Sequence, residues 1–243
     1  MRALDGQVAL VTGASRGLGR AIALALADAG ASLHLVADGT EEELAQAAAA
    51  CAERCPSASV SRATLDLAVP DAPAAMVHAA VGKHGRIDVL VNNAGVRIRK
   101  PFGQFGADDF DRLMAVNLRA PMLAAQTAAT YMRVRGRGRI INVASQLGTV
   151  TDTGASLYGM SKAALLYLTR AMAGELAPFG VVVNAVSPGT TGTEFILATM
   201  DGPRLASRIE RIPAGRLGRP DEIAQAVVFL ATTSATFLLG HNL

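Results

Sequence analysis

Gln7-Val-Ala-Leu-Val-Thr-Gly-Ala-Ser-Arg-Gly-Leu-Gly19 runs directly into an apolar, alanine-rich segment from Arg20 to Ala29. The part up to Val11 is rich in β-formers and the part after Gly19 reads as a helix, so the stretch predicts strand, glycine turn, helix. Such a unit turns free backbone N–H groups and the positive end of a helix toward one point, where a pyrophosphate can bind. Gly13 suits the tight turn, Gly17 lets backbone approach the phosphates, and Gly19 lets the helix press on the sheet. Ser15, Arg16 and Leu18 complete the expected binding loop. The glycine spacing departs from the G-x-G-x-x-G fingerprint, so the rest of the chain must carry the reading.

The rest alternates. Ser32 to Ala37, Ser59 to Leu65, Ile87 to Asn92, Arg139 to Ala144 and Val181 to Ser187 read as strands. Between them fall helical patterns: Glu41 to Arg54 behind a Thr40/Glu43 capping box, Ala72 to Lys83, a long one from about Ala107 to Met132, and one carrying Tyr158. Nearly continuous apolar strands alternating with helices predict an α/β fold, a doubly wound parallel sheet of Rossmann type, as one domain over residues 1–243. In such sheets the ligand lies beyond the strand C-termini. Thr12, Asp66, Asn92, Ser145 and Pro188 fall at those ends, so one crevice is expected to collect them.

Tyr158 and Lys162 stand four apart in Leu157-Tyr-Gly-Met-Ser-Lys-Ala-Ala164. On a helix they share a face, and an ammonium beside a phenol favours phenolate, drawing the tyrosine pKa down from ~10. Such a tyrosine exchanges protons with an alcohol or carbonyl.

With these residues in view, the chain resembles the short-chain dehydrogenase/reductase family, in its single-domain branch, from about Leu4 to Leu243. The motifs are Thr12 to Gly19, Asn92-Asn-Ala-Gly95, Asn117 in Met114-Ala-Val-Asn-Leu118, Ser145 in Ile141-Asn-Val-Ala-Ser145, Tyr158 with Lys162, and Ser187-Pro-Gly189. The resemblance implies an enzyme moving a hydride between NAD or NADP and a secondary alcohol or ketone. Tyr158 would be the acid or base, Ser145 would orient the reacting oxygen, and Lys162 would hold the nicotinamide ribose. Asn117 would interrupt its helix and hold a water linking Lys162 to solvent, although Pro121 offers another cause for a kink. Asp66 would accept from the adenine amino group with help from the Leu67 backbone. Asn93 would brace neighbouring strands, and Ala94 and Gly95 would let backbone approach the adenosine half. Pro188 and Gly189 would shape the carboxamide side, with Thr191 and Thr193 near the pyrophosphate.

A carboxylate about 20 residues past the glycine motif binds a ribose 2′-OH and repels a 2′-phosphate. Asp38 stands near that place, though the family more often has its acid one position earlier, at Ala37 here. Arg16 could neutralise a 2′-phosphate, but Asp38 and Glu41 to Glu43 make the mouth acidic, and NAD is the expected cofactor over NADP.

For the substrate, Arg97, Arg99 and Lys100 follow a strand end and are expected to recognise an acidic group. Their segment, with Arg211 to Pro220, is similar to gluconate 5-dehydrogenases and keto-deoxy-gluconate dehydrogenases, which implies a polyol or sugar acid. Reductases of 3-oxoacyl-acyl-carrier-protein are the alternative; Phe179 stands where those often carry a carrier-docking arginine. A non-catalytic dinucleotide sensor would have lost the reactive trio. An epimerase or dehydratase would need a longer C-terminal region.

Family members usually continue past a segment like Gly240 to Leu243 into a final strand, so an edge strand is expected to be missing. The resemblance also implies a homodimer or homotetramer, using the helices around 107–132 and 155–177. The chain has 243 residues, 51% of them hydrophobic, and a formal charge of +3, with no broad basic face for nucleic acid. No apolar run reaches membrane length and no signal peptide is evident, so a cytoplasmic enzyme is expected. Cys51 and Cys55 read as free thiols, and the scattered His34, His78, His84 and His241 suggest no metal site.

Overall fold

Strand β1 (Val8–Thr12) explains why a continuous apolar run is needed: Ala9 and Val11 enter one apolar layer and Leu10 enters the other. In the computed structural model, which describes residues 1–199 and 202–243, this central strand has helices on both of its faces. The order along the chain is β1, α1 (Gly17–Asp28), β2 (Ser32–Ala37), α2 (Glu41–Arg54), β3 (Val60–Thr64), α3 (Ala72–His84), β4 (Val89–Asn92), α4 (Ala107–Met114) and α5 (Ala120–Val134). Then come β5 (Gly138–Val143), α6 (Ser156–Leu176), β6 (Val181–Val186), α7 (Glu194–Thr199), α8 (Gly202–Glu210) and α9 (Pro220–Thr232).

The sheet runs β3-β2-β1-β4-β5-β6 with every pairing parallel. Ile22, Leu26, Leu44 and Val227 from α1, α2 and α9 pack on one face; Met76, Ala124, Met132 and Ala173 from α3, α5 and α6 pack on the other. Each fully buried large aliphatic side chain contributes about 1.5–3 kcal/mol. The strand order reverses between β1 and β4, and there the connections leave to opposite faces and open a crevice.

Three expectations change in detail. The long helix expected from Ala107 to Met132 is broken at Ala115–Arg119, where the backbone widens to a π-turn and Ala120 N–H reaches back to Ala115 O. Asn117 sits in that turn, and Pro121 has no N–H for the carbonyl four residues before it, so both suggested causes meet at one place. The capping box of α2 is half made: Thr40 Oγ1 accepts from Glu43 N–H at 3.2 Å. At the C-terminus the six-stranded sheet gains no full strand, but Gly240 to Leu243 hydrogen-bond along the outer edge of β6, with Ala185 N–H to His241 O at 2.8 Å and Leu243 N–H to Ala185 O at 3.0 Å.

No described helix is long and apolar enough to cross a membrane. Both cysteines are free and buried, and burial pushes the Cys51 thiol up to about 11.

Sequence reading missed a polar trio around the buried His34. Ser61 Oγ lies 2.7 Å from His34 Nδ1 and 2.6 Å from His84 Nε2. Burial, then the charge on His84, lowers His34 from 6.5 to about 4. The unfolded chain takes up this proton near 6.5 and the folded chain near 4, so the stability that neutral His34 contributes is complete above 6.5 and lost as pH falls to 4. Urea unfolding should show stability falling by about 1–3 kcal/mol across that window, with a shallower fall in His34→Gln. An identical pH slope in the variant would reject the assignment.

Candidate active site

At the C-terminal end of β1 the chain turns at Gly13 with φ +65°, a conformation that favours glycine. A Cβ here would lie 2.9 Å from Asn93 Nδ2, and one on Gly19 would fall on the Gly13 carbonyl oxygen. Backbone from the turn and the helix start therefore meet with no room for a side chain. Helix α1 opens after an extended Arg16 with no side chain capping it and no acid in its first turn. Gly17, Leu18 and Gly19 line the crevice, and no side chain caps this helix end, which leaves its first N–H groups available. Across from them, Thr193 Cγ2 lies 3.5 Å from where a Cβ on Gly17 would stand.

Thr12 ties the strand ends together, its Oγ1 accepting from Asn93 N–H and Ala94 N–H at 3.0 Å each. Asn93 Nδ2 donates to Thr12 O at 2.8 Å, the brace expected of it. Asn92 turns away from the crevice. It is buried and donates to Asn142 Oδ1 at 2.9 Å, while Asn142 donates to Thr169.

A cavity of about 530 Å³ extends from Arg16, Gly17 and Leu18 to Ser145, Tyr158 and Lys162. A smaller one of about 180 Å³ continues it past Asp38 to Asp66, Leu67 and Ala94. The register at the end of β2 is clear: Ala37 is 4% exposed in the core, and Asp38 lines both cavities beside Arg16. Asp66 also lines the cavity, yet its carboxylate accepts from Arg112 Nη1 at 2.9 and 2.8 Å, which holds its pKa below the usual carboxylate range. The role expected of Asp66 toward an adenine amino group would share these oxygens with Arg112. Pro188, Gly189 and Thr191 line the larger cavity with Thr193.

Ser145 follows the end of β5 in extended backbone, its Oγ accepting from Leu147 N–H at 3.2 Å. Tyr158 and Lys162 lie one turn apart on α6, with the lysine Nζ 5.8 Å from the phenol ring centroid. Lys162 is 4% exposed and donates to Val143 O at 2.8 Å. The spacing predicts a depressed phenol, but burial pushes Tyr158 above its usual value, against opposing pulls from Ser145 and Arg97. Burial also lowers Lys162 to about 8, and the causes acting on the phenol are its burial, Ser145 and Arg97, not the lysine charge. Asn117 is fully buried: its side chain accepts from Val96 N–H at 2.8 Å and donates to Val96 O at 2.9 Å and to Ser161 Oγ at 3.1 Å. Its amide clamps the loop after β4. Its Oδ1 and the Lys162 Nζ both face Gly95, 3.3 and 3.5 Å from where a Cβ would stand.

The three cations after that loop separate. Lys100 pairs with Asp109 at 2.6 Å, away from the cavity, because Asp109 also caps α4 through Gly106 N–H. Arg99 pairs with Asp152 at 3.1 Å and with Thr153 O. Arg97 enters the cavity, its guanidinium carbon 5.9 Å from the Tyr158 ring centroid. Sequence reading missed Asp152, Phe195 and Arg208, which reach the site from loops and helices far along the chain. Among the described residues no group of three His, Cys, Asp or Glu side chains could hold a metal ion.

These features fit a nicotinamide dinucleotide. The uncapped helix end suits the pyrophosphate, the cradle that a Cβ would fill suits close backbone approach, and Asp38 offers a carboxylate acceptor at the cavity.

The family model for short chain dehydrogenases matches residues 7–201. A 3-oxoacyl-acyl-carrier-protein reductase of Vibrio cholerae is 37% identical over 99% of this chain and 96% of its own. A 2-dehydro-3-deoxy-D-gluconate 5-dehydrogenase of Escherichia coli is 35% identical over 99% and 94%. Among solved structures, a xylitol dehydrogenase with bound NAD+ superposes with a TM-score of 0.91 at 31% identity, covering 99% of this chain and 97% of its own. A candidate NAD(P)-dependent gluconate 5-dehydrogenase from Beutenbergia cavernae, with NADP bound at low occupancy, gives 0.91 at 35% identity over 99% and 95%.

Proposed function

The chain belongs to the short-chain dehydrogenase/reductase family and is an NAD(P)-dependent oxidoreductase, and from that premise we propose that Tyr158, Ser145 and Lys162 act on a secondary alcohol or ketone of a polyol or sugar acid. The observation that carries the reading is the convergence of these three side chains on the cavity that the glycine turn opens. Bound NAD(P) supplies or accepts the hydride. Ser145 holds the reacting oxygen, and Tyr158 gives it a proton or takes one. Burial keeps the phenol protonated, which suits donation to a ketone; removing that proton in the alcohol-oxidising direction needs added positive charge nearby. Lys162, fixed by Val143 O, keeps two donors for ribose hydroxyls, and Asn117 positions the loop that closes the site.

The reductase of 3-oxoacyl-acyl-carrier-protein remains a second reading, favoured by the likeness to the Vibrio cholerae enzyme. Phe179 is a weak argument against it, because the Arg133 guanidinium stacks 3.7 Å from that ring and returns a cation to the same corner. Nicotinamide absorbance with both cofactors against sugar acids, polyols and 3-oxoacyl thioesters decides between them. Reduction of only the thioesters rejects a polyol or sugar acid.

NAD is the proposed cofactor, because Asp38 stands at the cavity with no partner for its carboxylate among the described residues. Asp38→Ala removes a ribose acceptor and the repulsion of a 2′-phosphate together. The ratio of kcat/KM for NAD over NADP should fall about tenfold or more. An unchanged ratio would leave Arg16 as the determinant.

A further inference from the structure

Beyond the reacting cavity lies a second chamber of about 750 Å³, and the two share Arg97, Phe195 and Arg208. Of the cations there, Arg99 and Arg208 both hold Asp152 through its Oδ2, at 3.1 and 2.6 Å. Arg97 differs. Its Nε is buried without a hydrogen-bond partner, and no hydrogen bond or ion pair engages its guanidinium among the described residues. An unpaired, partly buried guanidinium is costly unless an anion completes it. The cost is built into the fold, because Asn117 grips both backbone groups of Val96 and fixes the residue that precedes Arg97.

We propose that Arg97 receives a carboxylate of the substrate, so that the substrate is a hydroxy or oxo acid and not a neutral polyol; this rests on the hydride-transfer reading above. One small molecule can span the phenol and the guanidinium, since the latter hangs over the Tyr158 ring. The carboxylate meets the guanidinium as a bidentate pair, while Arg99 and Arg208 surround it with further positive charge. The burial that lowers the Arg97 pKa works in the same direction, since a carboxylate offsets it. Lys100, tied to Asp109, takes no part.

The test is a calorimetric titration of gluconate and of glucitol, which differ at the carboxylate, into the protein saturated with reduced cofactor, which cannot oxidise either compound. Gluconate should bind the wild type about tenfold or more tightly than glucitol. Arg97→Gln should abolish that preference, Arg97→Lys should keep part of it, and Lys100→Gln should behave as wild type. Unchanged cofactor affinity in each variant reports an intact fold. No binding of gluconate, equal binding of the two, or a preference that survives in Arg97→Gln overturns the proposal. Failure of the enzymatic reading appears separately, as no reduced nicotinamide with any compound while the binding preference stands.

Discussion

Tyr158→Phe is expected to lower kcat by about 10²–10⁴-fold with little change in cofactor affinity. The phenol oxygen acts on the reacting atom, whereas the ring packs beneath Arg97 and beside Lys162, and phenylalanine keeps that packing. Because the phenol pKa is raised, oxidation of an alcohol by the wild type should accelerate as pH rises, through growth of the phenolate. That limb should be absent from the residual rate of the variant. Lys162→Ala should harm both cofactor affinity and turnover, since it removes a buried donor fixed on Val143 O. Near-normal turnover in Tyr158→Phe would remove Tyr158 from the chemistry and leave Ser145 with no acid beside it.

What the sequence could disclose about this site was local. The Gly13, Gly17, Gly19 turn and the Tyr158/Lys162 pair are set by spacing along one element, and helix and strand geometry carry spacing into space faithfully. Which partner a charge takes is a matter of tertiary contact. Arg97, Arg99 and Lys100 look alike within Gly95 to Phe102, yet Asp109 claims one, Asp152 claims another, and the third enters the cavity. Asp66 shows the same limit, since Arg112 reaches it from α4. Side-chain pairing of i and i+4 also suggested a depressed phenol, but the degree of burial, invisible in spacing, reverses the direction. The register doubt at Ala37 and Asp38 disappears once the strand alternation sends one to the core and the other to the cavity.

Gly19→Ala separates a binding turn from a merely compact one. The added methyl would fall on the Gly13 carbonyl oxygen and come 2.5 Å from Asn93 Nδ2, and backbone cannot swing aside as a flexible side-chain end can. Either α1 lifts from the turn or the turn opens, and both move the uncapped N–H groups of Gly17, Leu18 and Gly19 away from Thr193. Lifting α1 also disturbs Ile22 and Leu26, which are fully buried beneath α9, so stability should fall by about 1–3 kcal/mol. Cofactor affinity should fall more than the fold does, by about tenfold or more, because those N–H groups are the proposed pyrophosphate donors. Gly82→Ala in α3 is the control: nothing lies within 4 Å of its added methyl, and helix propensity there favours alanine by about 1 kcal/mol. Thermal unfolding and cofactor titration on both variants read the two effects independently. Wild-type affinity in a destabilised Gly19→Ala would mean that the turn packs the fold without holding the phosphates, and the pyrophosphate would then have to be held from the Thr191 to Thr193 side of the cavity.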